Sequence, residues 1–461
     1  MSPTRASVLL LLLCCSATAA HAQGEARTAR YMEGIRNNPL LLRMFLREMP
    51  KGGDLHNHLS GAIYAESFLR WAVESDICID TATLAAALCG EGAIPARSVV
   101  ANPVINRAVI DAWSMRNWTL SGQSGHDHFF DTFGKFSGAG YGRLGDMLAE
   151  SARRASANGL SYLELMYSPD NGAVSQLAAK VQWNGNVQAM RDTLLALGLR
   201  DSIRVGIRNI DSGEARMRAL LGCGGRADNG CDVTIRYLYQ VGRGGSNASV
   251  FAQILAGFEM AEMDNRVVGF NLVQPEDYPA PMANFAVQMQ MINTLRPLYT
   301  KAHISLHAGE FAYGMVPPEA LCCHIRQSIE LGHAERIGHG VAVAYEDDAA
   351  GLLKLMAARK VLVEICLSSN DVILGVRGTQ HPFHLYSENS VPLALATDDE
   401  GVSRSDITNE YARAVQEQGA TYPDLKRMAR NSIDYAFLPP SDKARLRSKL
   451  DQAFAKFEAR W

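Results

Sequence analysis

Four short stretches of this chain carry side chains of the kind that bind metal ions or move protons. They are His56-Asn57-His58, His307-Ala308-Gly309-Glu310, Gly338-His339-Gly340 and Thr397-Asp398-Asp399-Glu400. In an extended segment alternate side chains share a face, so His56 and His58 can grip one cation together. With His307 and Asp398 they make a set of three imidazoles and one carboxylate, which suits Zn²⁺ best among the common ions. One such ion per chain would lower the pKa of a water molecule and supply hydroxide at neutral pH. Glu310, three residues past His307, could serve as a proton donor if a dry pocket raised its pKa. His339, flanked by glycines, could reach the water as a base or as an electrostatic orienter. Asp399 could turn toward a substrate as a hydrogen-bond acceptor.

One His-x-His pair alone says little, since 12 histidines in 461 residues give ~0.3 such pairs by chance. A second pair is in fact present, His126-Asp127-His128, inside an aromatic run with Phe129, Phe133 and Phe136 at helical spacing. That pair reads as a packed or solvated helix face. The first pair gains its weight from the motifs downstream.

The bulk of the chain is that of a globular protein, 47% hydrophobic and 20% charged, with a formal net charge of -3. That charge gives no general attraction to nucleic acid or anionic membranes, and no basic run is interleaved with aromatics, so a nucleic-acid partner is not expected. Arg5, the apolar Val8 to Cys15 and Ala20-His21-Ala22 read as a signal peptide spanning 1–22, cleaved near Ala22. The mature chain is thus expected to be exported, periplasmic or secreted, and no later stretch is apolar enough for a membrane span. Seven cysteines then remain. Cys78 with Cys89 and Cys223 with Cys231 would each close a short loop; Cys322 and Cys323 are left open, and Cys366, in an apolar run, is the expected buried thiol.

Positioning residues so far apart requires a fold that gathers distant strand ends. From Lys51 onward eight segments read as buried strands separated by helical stretches: Gly53 to Leu59, Leu160 to Met166, Ile203 to Ile210, Val267 to Val273, His303 to His307, Arg336 to Val341, Val361 to Leu367 and Val391 to Thr397. They fit an α/β fold, a (β/α)₈ TIM barrel, whose catalytic groups sit at the carboxyl ends of several strands. Every candidate residue above falls at such an end. Residues 23–461 are expected to form this one domain, with an N-terminal helical extension over 23–50 and a helical insertion after strand 1, about 61–158, acting as a lid.

These motifs, in this order and spacing, are a known set. With Met49-Pro50-Lys51 before the first and Glu364-Ile365-Cys366-Leu367-Ser368-Ser369-Asn370 near strand 7, the chain resembles the adenosine deaminases of the amidohydrolase superfamily, in particular the exported type related to adenosine deaminase growth factors. The resemblance implies that His56, His58, His307 and Asp398 hold zinc, Glu310 protonates the purine N1, His339 orients and deprotonates the water, and Asp399 accepts from the N7 side. The implied reaction converts adenosine or 2′-deoxyadenosine to inosine or 2′-deoxyinosine and ammonia, with a purine nucleoside as the small-molecule partner. Two departures touch the substrate. Gln274-Pro275 stands after strand 4 where the family has a glycine that approaches the purine, and Ser60 stands where many members have a ribose-binding Asp. Glu400 also replaces the common Pro. Gln274 and Ser60 are therefore candidate substrate contacts. Another 6-aminopurine, an N6-substituted adenosine, or a non-catalytic extracellular nucleoside-binding or signalling protein are the alternatives. AMP is less expected, because no Lys/Arg cluster stands beside the motifs. Oligomeric state is left open.

Overall fold

The structure is a computed structural model that describes residues 23–225 and 230–461. Residues 1–22, read above as a signal peptide, lie outside the described residues. Two helices lead in, one over 23–35 and one over Pro39–Glu48. Pro39 sits at the start of the second, where a missing N–H costs nothing, and the Asn38 side chain accepts from Leu41 N.

Eight parallel strands then form the barrel: β1 Gly52–His58, β2 Leu160–Tyr167, β3 Thr234–Gly242, β4 Val267–Val273, β5 His303–Ala308, β6 Arg336–His339, β7 Leu362–Ile365 and β8 Leu393–Leu395. Sequence neighbours pair in order around the sheet. Closure between the last strand and the first runs through one residue past β8: Asp398 N donates to His56 O at 2.8 Å, and His58 N donates to Asp398 O at 3.1 Å. β1 and β4 are buried along their whole length, as a strand between a filled interior and covering helices must be.

One expected strand is wrong. Ile203 to Ile210 lies inside the helix Leu199–Leu221, whose buried positions Leu199, Ile203, Gly206, Ile210 and Gly213 recur at steps of three and four. That is a helical stripe, whose closely spaced isoleucines imitate the apolar run of a strand. The third strand is Thr234–Gly242 instead, whose half-buried and buried residues alternate at its start.

The segment between β1 and β2 carries helices Ala65–Glu74, Ala96–Ala101, Pro103–Ala112, Gly125–Gly140 and Leu144–Ala157. It also holds a small antiparallel sheet of Cys78–Asp80, Ala86–Ala87 and Ala93–Pro95, tied by the Cys78–Cys89 disulfide. Cys223 pairs with Cys231, Cys322 with its neighbour Cys323, and Cys366 is a buried free thiol. No helix among the described residues is long and apolar enough to cross a membrane.

Candidate active site

At the carboxyl end of the barrel, His56 and His58 close β1, His307 lies near the end of β5, and Asp398 follows β8. Their ligand atoms converge. His307 Nε2 is 3.1 Å from His56 Nε2 and 3.3 Å from His58 Nε2, and Asp398 Oδ1 is 3.4 and 3.3 Å from the same two nitrogens. Ligands at about 2.0–2.1 Å around a tetrahedral ion stand about 3.3 Å from one another. The other ring nitrogens explain why a cation fits. His56 Nδ1 meets Glu364 Oε2 at 2.6 Å, His58 Nδ1 meets Gln240 Oε1 at 3.2 Å, and His307 Nδ1 meets Asn271 Oδ1 at 2.8 Å. Each of these oxygens accepts, so each Nδ1 carries the hydrogen and each Nε2 aims a lone pair at the common point. Three lone pairs and a carboxylate oxygen packed this closely repel unless a cation lies among them.

A buried charge network holds this arrangement from below. Glu364 of β7 accepts at its second oxygen from Arg336 Nε at 2.6 Å and Ser305 Oγ at 2.9 Å. Gly338 must be glycine, because a Cβ there would stand 2.5 Å from His56 Cε1. Gly61 is bound in the same way by Asp399, whose Oδ1 would be 1.5 Å from a Cβ.

Glu310 follows Gly309 on the loop after β5, and its backbone is set by another carboxylate. Glu276 accepts from Glu310 N at 2.9 Å and Gly309 N at 3.2 Å, and pairs with His324 Nδ1 at 2.5 Å. Burial, reinforced by the Asp398 carboxylate, pushes the Glu310 carboxyl well above the usual range, the direction a proton donor needs. His339 Nε2 lies 3.5 Å from Glu310 Oε1, and burial draws its pKa down to about 3. Asp399 Oδ1 is buried with no hydrogen-bond partner among the described residues, and burial followed by the Asp398 charge raises its carboxyl well above the ordinary value. Three site residues that are not glycine adopt left-handed backbone: His339 at φ 65°, Asp398 at φ 58° and Gln274 at φ 85°. Such conformations cost about 1–3 kcal/mol each and persist where the surroundings over-determine them.

These groups open into a cavity of about 370 Å³. Its floor is His58, His307, Glu310, His339, Asp398 and Asp399; its walls include Gln240, Gln274, Pro275 and Tyr278, and Phe129, Phe130 and Phe133 of the helix Gly125–Gly140 cover it. Gln274 turns its amide oxygen to Gly244 N at 2.8 Å. Ser60, on the turn after β1, is half-buried and does not line this cavity. The second histidine pair stays apart from the cluster: His128 is buried against the carbonyls of Asp111 and Ser114, and His126 bonds Asp277 Oδ1 at 3.1 Å. Sequence reasoning missed Gln240, Asn271, Glu276 and Glu364. A lone polar residue inside an apolar strand was the available signal, above all Glu364 in Val-Leu-Val-Glu-Ile.

A parallel (β/α)₈ barrel with a His/Asp cluster at its carboxyl-terminal mouth is the architecture of the amidohydrolase superfamily. Within it the chain belongs to the adenosine deaminase family, whose family model, "Adenosine deaminase", matches residues 143–453. The adenosine deaminase of Enterococcus faecalis is 31% identical over 190 residues, 41% of this chain and 51% of that protein. That of Salmonella typhimurium is 39% identical over 152 residues, 33% of this chain and 42% of that protein. These matches span about half or less of the relatives' own length. The Escherichia coli adenosine deaminase aligns over 400 residues at 26% identity, 86% of this chain and 96% of that protein. Among solved structures, an adenine deaminase from Arthrobacter aurescens superposes with a TM-score of 0.57 at 16% identity, covering 87% of this chain and 98% of its own. An Arabidopsis N6-mAMP deaminase gives 0.56 at 21%, covering 89% and 99%. An amidohydrolase from Burkholderia ambifaria with bound Zn gives 0.56 at 17%, covering 91% and 95%. At these identities the structural likeness speaks to the fold.

Proposed function

We propose that this chain hydrolyses the 6-amino group of adenosine or 2′-deoxyadenosine, giving inosine or 2′-deoxyinosine and ammonia. The observation that carries the reading is the convergence of three imidazole lone pairs and Asp398 at a cavity that the buried carboxyl of Glu310 also lines. His56, His58, His307 and Asp398 would hold one Zn²⁺, which when bound supplies hydroxide at neutral pH. Glu310 is positioned to give its proton to a ring nitrogen, which makes the neighbouring carbon electrophilic and lets the amino group depart as ammonia once water has added. Asp399, with an oxygen free of partners among the described residues, can accept from the substrate or from water. Phe129, Phe130, Phe133 and Tyr278 offer flat apolar surface suited to a heteroaromatic ring.

Among the described residues neither lysine nor arginine lines the cavity, so a phosphate would meet no cationic side chain from them apart from imidazoles. This favours a nucleoside over a nucleotide. Export belongs to the same proposal, supported by three disulfides among the described residues, which persist in oxidising compartments. The insertion after β1 is proposed to act as the lid, since its helix Gly125–Gly140 supplies the aromatic cover.

The test is a substrate panel. Zinc-loaded protein is expected to convert adenosine and 2′-deoxyadenosine with kcat/KM at least ~10²-fold above AMP and adenine, followed by ultraviolet absorbance. Preference for AMP, adenine or N6-methyladenosine would replace the proposed substrate. Silence on the whole panel would remove the enzymatic reading.

A further inference from the structure

His339 stands beside the three lone-pair imidazoles, yet its hydrogen bonds run the other way. The chain of contacts starts from a backbone amide, whose donor role is fixed: Phe383 N donates to His381 Nδ1 at 3.2 Å. Nδ1 of His381 is therefore the acceptor nitrogen, and the ring hydrogen sits on Nε2. That Nε2–H meets Asn370 Oδ1 at 3.1 Å, which fixes the Asn370 amide with its oxygen toward His381 and its NH₂ toward His339. Asn370 Nδ2 then donates to His339 Nδ1 at 3.0 Å. All three residues are buried, and His381 is held neutral by that burial, at about 3. The polarity set at Phe383 N thus propagates without a break into the site.

The consequence is a tautomer. Where His56, His58 and His307 carry hydrogen on Nδ1, His339 carries it on Nε2, the nitrogen that faces Glu310 and the ligand cluster and that has no hydrogen-bond acceptor among the described residues. We infer that neutral His339 acts in the reaction as a hydrogen-bond donor to the attacking oxygen, not as the base that takes its proton, and that Asn370 and His381 are the positioning residues that impose this tautomer. The same hydrogen keeps His339 out of the ligand set, although its ring lies near enough to Asp398, His56 and His307 to join one. In this role no proton passes through His339. It orients the oxygen and stabilises the charge that develops on it. The inference rests on the deaminase reading above and settles a choice which that reading leaves open.

The experiment inverts the relay. In Asn370→Asp both side-chain oxygens accept, so His339 must place its hydrogen on Nδ1 and turn a lone pair toward the water. At pH 9, where the imidazole stays neutral, this variant is expected to keep its zinc and a KM within about threefold while kcat falls about 10²-fold or more, as wrong-tautomer histidines do in other enzymes. His381→Gln, whose amide can still donate to Asn370 Oδ1, should keep kcat within tenfold, whereas His381→Leu, which cannot, should fall further. Nitrogen-15 NMR of histidine-labelled, zinc-loaded protein, with His339→Ala for assignment, reads the tautomer directly. Nε2–H at His339 beside Nδ1–H at His56, His58 and His307 is the expected pattern. Nδ1–H at His339 in the wild type, or undiminished kcat in Asn370→Asp, overturns the proposal. A wild type that carries the expected tautomer yet turns over no 6-aminopurine would instead remove the deaminase reading and leave the tautomer standing.

Discussion

Gln274 sits where backbone and side chain pull against each other. Its φ of 85° lies in a region that favours glycine, and its amide is occupied by Gly244 N. Replacing it with glycine relieves strain of about 1–2 kcal/mol and removes a wall of the cavity, while giving up one hydrogen bond of about 1 kcal/mol. Gln274→Gly should therefore leave Tm nearly unchanged and lower KM for adenosine, with kcat little altered; a raised KM in steady-state assays would show that the Gln side chain contacts the substrate productively. Pro275, which contributes no N–H, limits how far such a change can restore a backbone contact. The residues legible from sequence at this scale were those whose chemistry is rare in a core: His56, His58, His307, Glu310, His339, Asp398 and Asp399 all meet at one mouth. Asn370 and His381 were not legible as a pair, because their meaning lies in the direction of two hydrogen bonds, which no spacing reports.

At the scale of elements, the helix Ile407–Gln418 packs a carboxyl against the first turn of the helix Leu367–Leu374 that follows β7. Glu410 accepts from Ser368 N at 3.0 Å and Ser405 Oγ at 2.9 Å, and burial, only partly offset by these bonds, raises its pKa to about 7. The folded chain thus holds this proton up to about pH 7, while an unfolded Glu releases it near 4.5. Between those values the folded state binds more protons, so stability is fully present below pH 4.5 and is lost as pH rises through 7. Glu410→Gln should raise Tm at pH 8 and change it little at pH 4.5, by differential scanning calorimetry. An equal shift at both pH values would refute the assignment. Elements also show where sequence reasoning succeeds. β1, β2 and β4 to β8 were found near their true positions, β1 by its His-x-His motif and the others because strands buried on both faces are short apolar runs bounded by polar turns. β3 was missed because its half-buried Arg236 and Gln240 dilute the run, while Ile203 and Ile210 imitated a strand from the buried stripe of a helix. With β3 went Gln240, which orients His58.

Across the whole molecule the site doubles as a clasp. The barrel closes through Asp398, and the atoms that close it belong to the residues that would hold the ion, so metal binding joins the first strand to the last. A ligand bound only by the folded chain stabilises it by about 4 kcal/mol at a thousandfold excess over Kd. Stripping the ion with a chelator should therefore lower Tm by several degrees, reversibly on adding zinc, and Asp398→Ala should abolish that dependence; a Tm indifferent to both chelator and zinc would mean that the cluster is not a metal site. The most direct measurement of the central claim pairs zinc content with turnover on the same samples of wild type and Glu310→Gln. About one zinc per chain in both, with adenosine deamination in the wild type and a loss of about 10²-fold or more in the variant, is the predicted result. Full activity in Glu310→Gln, or a wild type that deaminates without bound metal, would contradict it.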